Sequence, residues 1–133
     1  MATDSDLIGV WRLVTYFDVD TDGATSVGPL GERPGGLLFY HACGLMSVSM
    51  MRAEPAGPPS ARFMGYAGTW SLADEQVVHE VAVSSHPHMV GTRQVRDLVL
   101  DGSRLTLSGT APLPGGPQRR VLNWQRATEG GSV

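Results

Sequence analysis

The sequence predicts an all-β protein, a single antiparallel barrel of about eight to ten strands around an apolar central cavity. Short segments rich in β-branched and aromatic residues recur at roughly regular spacing, with turn signals between them. The 133 residues include 17 glycines and 9 prolines, and no helical pattern exceeds about two turns. Closure of one sheet would remove two exposed edges. A two-sheet sandwich is the main alternative.

The first third of the chain contains three predicted strands. Leu7 to Phe17 is rich in β-branched and aromatic residues, and Asp22-Gly23 after it is a hairpin signal. After a loop rich in glycine and proline, the next strands are 36–40 and 45–51. In the second of these, methionine and valine alternate with serine, which predicts one buried and one solvated face. A short strand at 25–27, or one near Ala111, would raise the strand count.

Five further strands are predicted in the rest of the chain. Residues 53–61 contain three prolines and are interpreted as a rim loop. The predicted strands are 66–72, 77–84, 93–100, 104–108 and 119–126. A loop is expected at 109–118, and frayed chain at 127–133. The length fits one domain, residues 1–133, with its core in 7–126.

Charge and composition exclude several classes of protein. The net charge is -3, and no run of like charges marks a nucleic-acid binder. The N-terminus is acidic and polar, unlike a signal peptide, and no window is apolar enough for a membrane helix. A single cysteine, Cys43, cannot form an internal disulfide. We therefore expect a cytoplasmic protein with no nucleic-acid or membrane partner.

Strand alternation places two ionisable side chains on inward faces. His79 shares a face with Val77, Val81 and Val83, and Arg96 shares one with Gln94, Leu98 and Leu100. A buried arginine requires either a carboxylate or an oxygen-rich ligand. The strand carboxylates Glu80 and Asp97 fall on the opposite faces, so Glu80 is a reserve candidate that a β-bulge would turn inward. Structural roles for His79 and Arg96 remain open.

Further residues are candidates for the cavity wall. Tyr66 and Trp70 share a face with Gly68, which indicates an aromatic wall with a gap where a ligand or a neighbouring backbone approaches. The predicted catalytic set is His79, Arg96, Glu80 and Tyr66. The predicted substrate-binding set is Tyr40, Met46, Ser47, Met50, Trp70 and Leu98. His86 and His88 lack a third ligand at suitable spacing, so no metal site and no cofactor are predicted.

Several segments together resemble a known family. Gly9-Val10-Trp11 resembles the glycine-x-tryptophan signature of the first lipocalin strand, and Trp124-Gln125-Arg126 resembles the closing strand with its arginine. With 36–40, 66–70 and 100–107, the chain resembles the bacterial lipocalin-like domain family of small calycin-type barrels. The resemblance implies that Arg126 packs over Trp11 at the closed end of the barrel. It also implies similarity to cofactor-free polyketide cyclases, among them enzymes that close spiroacetals.

The sequence favours a cofactor-independent cyclase that acts on a large apolar, hydroxylated substrate such as a polyketide. In that hypothesis His79 exchanges a proton with Glu80 or a tyrosine, and Arg96 holds an oxygen. The alternative is a non-catalytic carrier of a small hydrophobic metabolite, as many lipocalins are. Apolar residues on predicted outer faces, such as Val95 and Val99, are compatible with a homodimer.

Overall fold

Most of the described chain is β-strand. A computed structural model describes residues 2–53, 62–113 and 116–127. One turn of helix, α1 (Asp4–Leu7), precedes the sheet, and a 3₁₀ helix (Pro87–Met89) follows the sixth strand. The strands are β1 (Gly9–Val19), β2 (Thr25–Val27), β3 (Gly35–Tyr40), β4 (Leu45–Met51), β5 (Phe63–Ala73), β6 (Gln76–Ser84), β7 (Arg93–Asp101), β8 (Arg104–Leu113) and β9 (Gly116–Arg126).

The strands form one closed antiparallel sheet. Each of β3 to β8 pairs with the next strand in sequence, and β1 pairs with both β3 and β9. The result is an eight-stranded barrel, with β2 added along the far end of β1 through Phe17↔Val27. The predicted all-β barrel is therefore confirmed, and the sandwich alternative is wrong. Closure pairs the first and last strands, which would otherwise be the two edges of an open sheet.

The predicted strands are found, and several of their ends are shifted. The short strand at 25–27 is present as β2. The loop expected at 109–118 is wrong, because β8 and β9 stay paired as far as Leu113↔Gly116. Beyond Ser108 and Arg119 the two strands of this hairpin pair only with each other in the described part of the chain. The predicted rim loop and tail lie mostly outside the described residues.

Two bulges change which residues face the interior. In β1, Leu13 pairs with Trp124 but Thr15 pairs with Asn123, so Val14 is an extra residue. In β6, Val81 pairs with Gly68 but Val83 pairs with Ala67, so Ala82 is extra. Each bulge reverses the alternation beyond it. Val83, expected on the inward face, is consequently 62% exposed.

At Gly68 the backbone of β6 lies close against β5. A Cβ at this position would lie 1.8 Å from the carbonyl oxygen of Glu80. The bulge at Ala82 lies in β6 opposite Gly68. The β6 backbone there occupies the space that a side chain at position 68 would need. The gap expected at Gly68 is therefore filled by neighbouring backbone, the second of the alternatives that the sequence left open.

Arg126 and Trp11 close one end of the barrel. The Arg126 guanidinium carbon lies 4.2 Å from the centroid of the buried Trp11 ring. Arg126 also donates hydrogen bonds to the carbonyl oxygens of Ile8 and Asp6, and Trp11 Nε1 donates to the carbonyl oxygen of Leu7. The Arg126–Trp11 contact agrees with what the resemblance implied. The hydrogen bonds also hold α1 across this end, although the sequence predicted Leu7 as the start of the first strand. The opposite end is where Val19 pairs with Arg119.

We expect Arg126→Met to lower the free energy of unfolding by about 1–3 kcal/mol, because it removes the cation–π contact and leaves two carbonyl groups without their donor. Urea unfolding followed by tryptophan fluorescence measures the change. Arg104→Met is the matched control, since Arg104 is exposed and contacts Gln125 on the outside; we expect a change within about 0.5 kcal/mol. An unchanged urea midpoint for Arg126→Met would contradict the closing role.

Candidate functional site

The barrel encloses a cavity at the end away from α1. Its volume is about 480 Å³, within the range of about 300–1,000 Å³ typical of small-molecule sites. Most of the wall is apolar and comes from Leu38, Val48, Met50, Leu107, Leu122 and Trp124. The polar wall residues of the interior are Tyr16, Tyr66, His79, Gln94, Arg96 and Arg120. His88, Met89 and Thr92, from the 3₁₀ helix and the turn after it, also line the cavity.

Two tyrosines hold the histidine inside the barrel. The Tyr40 hydroxyl lies 2.6 Å from His79 Nε2, and the Tyr66 hydroxyl lies 2.6 Å from His79 Nδ1. All three residues are buried, and they come from β3, β5 and β6. We call them the tyrosine–histidine cluster. Both ring nitrogens are satisfied, so the imidazole is fixed in position and orientation.

An aromatic layer supports the cluster on one side. The Trp70 ring packs against Tyr40 with a centroid distance of 4.8 Å, and Trp70 Nε1 donates to the carbonyl oxygen of His41. Trp70 pairs with His79 across the β5–β6 ladder. Gly68 adds no side chain between Tyr66 and Trp70 on this face. Aromatic packing therefore locks Tyr40 behind the histidine.

The cluster is electrically neutral at ordinary pH. Burial and, to a smaller extent, the nearby positive charge of Arg96 lower the pKa of His79 to about 3. Burial raises the pKa of Tyr66 to about 12 and raises that of Tyr40 well above its ordinary value. The common cause is the cost of a charged form inside an apolar wall. The imidazole and both hydroxyls therefore keep their neutral forms near pH 7.

Neutrality fixes the direction of the hydrogen bonds. A neutral imidazole has one N–H donor and one acceptor, so one tyrosine donates to it and the other accepts. Within the described chain, His79 is the partner of the Tyr40 hydroxyl. If Tyr40 accepted, its own buried O–H would lack an acceptor, at a cost of about 1–3 kcal/mol. Tyr40 therefore donates to Nε2 and Nδ1–H donates to Tyr66, which leaves the Tyr66 O–H for the cavity.

Arg96 brings a positive charge to the cavity wall. It is half-buried in β7, and its guanidinium donates to the carbonyl oxygen of Val95 at 3.0 Å and to Gln94 Oε1 at 2.9 Å. Room for the guanidinium is made by Gly109 in β8, where a Cβ would lie 3.0 Å from Arg96 Cδ and Nη1. The second arginine of the wall, Arg120, lies 3.5 Å from Asp18 Oδ1 in an ion pair.

The structure brings most of the predicted site residues together. His79, Tyr66, Arg96 and Met50 line the cavity, and Tyr40 contacts His79. Met46 and Leu98 are buried in the core, and Trp70 packs behind Tyr40, so these three support the wall without lining the cavity.

Two predicted residues lie outside the cavity. Glu80 is exposed and faces Arg93 at 3.7 Å, because the bulge that would turn it inward comes two residues later, at Ala82. Ser47 lies on the outer face of β4, in a surface depression with Phe39 and Leu45. The structure therefore removes both from the interior.

Three titratable wall residues are not predicted from the sequence: Tyr16, Arg120 and His88. Arg120 alternates with Leu122 and Trp124 in β9, so period two would have found it. The bulge at Val14 hides Tyr16, because Trp11 and Leu13 predict the opposite face. His88 reaches the cavity from the segment between β6 and β7, where no strand period applies.

A closed antiparallel barrel with a ligand-sized apolar interior is the architecture of lipocalin-type binding proteins. The chain belongs to the lipocalin-like domain family, whose model matches residues 8–63 and 59–127. It is similar to a 4'-hydroxy-3'-methoxypropiophenone carrier protein of Aspergillus oryzae, with 34% identity over 74 residues, which cover 48% of this chain and 67% of the relative.

No helix in the described part of the chain is long and apolar enough to cross a membrane. Nor do three or more histidine, cysteine or acidic side chains gather there in a group that could hold a metal ion.

We expect the stability of the protein to fall as pH decreases below about 6.5, the pKa of histidine in an unfolded chain. Below that pH the imidazole of residue 79 is protonated in the unfolded chain. In the folded protein its pKa is about 3, so it stays neutral. The slope approaches about 1.4 kcal/mol per pH unit. Urea unfolding between pH 7 and 5, before most carboxylates titrate, measures it.

The matched variants are His79→Gln and His88→Gln. We expect the first to lose this part of the slope and the second, at an exposed histidine, to keep it. Equal slopes for wild type and His79→Gln would show that the imidazole is not held neutral by the fold.

Proposed function

We propose that the protein is a carrier that binds a small, largely apolar molecule with oxygen substituents inside the barrel and releases it unchanged. The observation that carries this proposal is the cavity of about 480 Å³ with an apolar wall and a fixed, neutral tyrosine–histidine cluster. An apolar wall favours burial of a hydrophobic body, and a few placed polar groups orient it. The Tyr66 O–H offers one donor to a carbonyl or hydroxyl oxygen.

The similarity to the Aspergillus carrier supports the same proposal. The compound in that protein's name is an aromatic ketone with a phenolic hydroxyl and a methoxy group. Such a molecule combines a flat apolar ring with oxygen acceptors at its edge. A wall of aliphatic and aromatic side chains with a tyrosine hydroxyl and an arginine suits this chemistry.

The cyclase hypothesis receives less support. General acid–base catalysis near neutral pH works best with a group whose pKa lies near that pH. Burial lowers the pKa of His79 to about 3, so the imidazole is a weak base, and it has no protonated form there to act as an acid. Of the two proposed proton partners of His79, Glu80 is on the outside of the barrel, and burial raises the pKa of Tyr66 to about 12. The relative described above is named as a carrier.

The test is a binding and recovery experiment with 4'-hydroxy-3'-methoxypropiophenone. We expect saturable quenching of tryptophan fluorescence at one molecule per chain, because Trp124 lines the cavity, and recovery of the compound with its mass and retention time unchanged. Incubation with linear hydroxylated polyketide precursors serves as the second arm. Conversion of a precursor above the buffer control, lost in His79→Ala, would replace the carrier proposal with the cyclase.

Met64→Trp tests whether binding occurs inside the barrel. Met64 is half-buried and lines the cavity, so a larger side chain fills the site and should weaken binding at least about tenfold, a loss of about 1.4 kcal/mol. The matched control is Phe63→Trp on the adjacent, outward-facing position of β5, which should bind as the wild type does. Isothermal titration calorimetry measures both. Equal affinities would place the ligand elsewhere.

A further inference from the structure

Among the described residues Arg96 has no carboxylate partner, whereas three other arginines of the strands do. Arg93 faces Glu80, Arg119 pairs with Asp97, and Arg120 pairs with Asp18. Within the described residues no carboxylate lies within 4.0 Å of Arg96, and its hydrogen bonds go to neutral oxygens of Val95 and Gln94.

Strand alternation explains this difference. Asp97 is next to Arg96 in sequence, but it points to the outside of β7, where it accepts hydrogen bonds from Gln76 and Arg119. The same alternation sends Glu80 outward from β6. Glu80 and Asp97 therefore form their ion pairs on the outer surface. Arg96 faces the cavity without a counter-ion among the described residues.

The site around Arg96 is shaped for its guanidinium. Gly109 leaves space beside Cδ and Nη1 that a larger residue would fill. The Tyr66 O–H, whose oxygen already accepts from His79, is a second donor to the same cavity. The remaining wall is apolar. A positive charge and an oriented O–H at the edge of an apolar cavity form a site for one negatively charged oxygen.

We propose that the cavity binds its ligand as an oxyanion, an ionised acidic phenol, enol or carboxylic acid, with the charged oxygen at Arg96 and Tyr66. This inference rests on the proposed carrier function and adds the charge state of the ligand. Partial burial of a guanidinium without a counter-ion is unfavourable, and a bound anion removes that cost.

The other charges around the cavity agree with this proposal. Arg120 is balanced by Asp18, and the tyrosine–histidine cluster is neutral at ordinary pH. The positive charge of Arg96 lowers the pKa of Tyr66 and so partly opposes the effect of burial on that hydroxyl. A ligand hydroxyl in the same place would experience the same effect. The remaining titratable groups that face the cavity are Tyr16 and His88.

The experiment compares a para-acyl phenol with its methyl ether. The probe is 4'-hydroxyacetophenone, whose phenolate has an absorption spectrum distinct from that of the phenol. The control is 4'-methoxyacetophenone, which has a similar shape and cannot ionise. We expect the pKa of the bound phenol to fall by about one unit or more, which means that the phenolate binds at least about tenfold more tightly than the phenol.

Variants of β7 assign the effect to Arg96. Arg96→Gln should abolish the shift in the pKa of the bound phenol, and Arg96→Lys should keep part of it. Arg93→Gln, on the outward face of the same strand, should keep all of it. The measurement on the wild-type protein alone tests the proposal if Arg96→Gln does not fold.

The outcomes separate this inference from the carrier proposal. A bound phenol whose pKa is unchanged or raised, or an ether that binds as tightly as the phenolate, would overturn the oxyanion and leave the carrier intact. If neither probe binds at any pH, and the carboxylate 4-methoxybenzoate does not bind either, the oxyanion proposal is wrong. If 4'-hydroxy-3'-methoxypropiophenone also fails to bind, the carrier proposal is wrong as well.

Discussion

The fold depends on the pairing of β1 with both β3 and β9. Gly9 to Arg12 pair with β3 on one edge, and nearly the whole of β1 pairs with β9 on the other. This pairing joins the two ends of an otherwise open sheet, so it converts eight strands into a barrel and creates an interior. The same pairing brings Arg126, on the last strand, beside Trp11, on the first. The same register of β1 against β9 therefore closes the sheet and seals one end of the barrel.

The bulges adapt this closed sheet to its interior. At one end β1 points Trp11 inward to meet Arg126, and after the bulge at Val14 it points Tyr16 and Asp18 inward. Without the extra residue, Asp18 would face solvent and Arg120 would lose its carboxylate. The bulge at Ala82 likewise ends the inward face of β6 after His79 and Val81. The extra residue in β1 therefore separates the residues that close one end of the barrel from those that line the cavity.

The sequence predicts those parts of the site that depend on regular alternation. His79 and Arg96 were placed inward correctly because β6 and β7 pair without interruption from Gln76 to Glu80. Val83 was placed wrongly because the extra residue has no signal in the sequence. The tyrosine–histidine cluster could not be predicted, since Tyr40 and Tyr66 come from strands whose alignment depends on the register of β4 between them.

The interior holds two kinds of polar group with different physical effects. The tyrosine–histidine cluster satisfies its own hydrogen bonds, so it is neutral and rigid, and it offers the cavity one oriented O–H. Arg96 stays charged, because a guanidinium does not give up its proton in a protein. A neutral network beside a permanent cation presents the cavity with the field of one positive charge that the cluster does not cancel near neutral pH. Such a field selects among small aromatic ligands by their acidity as well as by their shape.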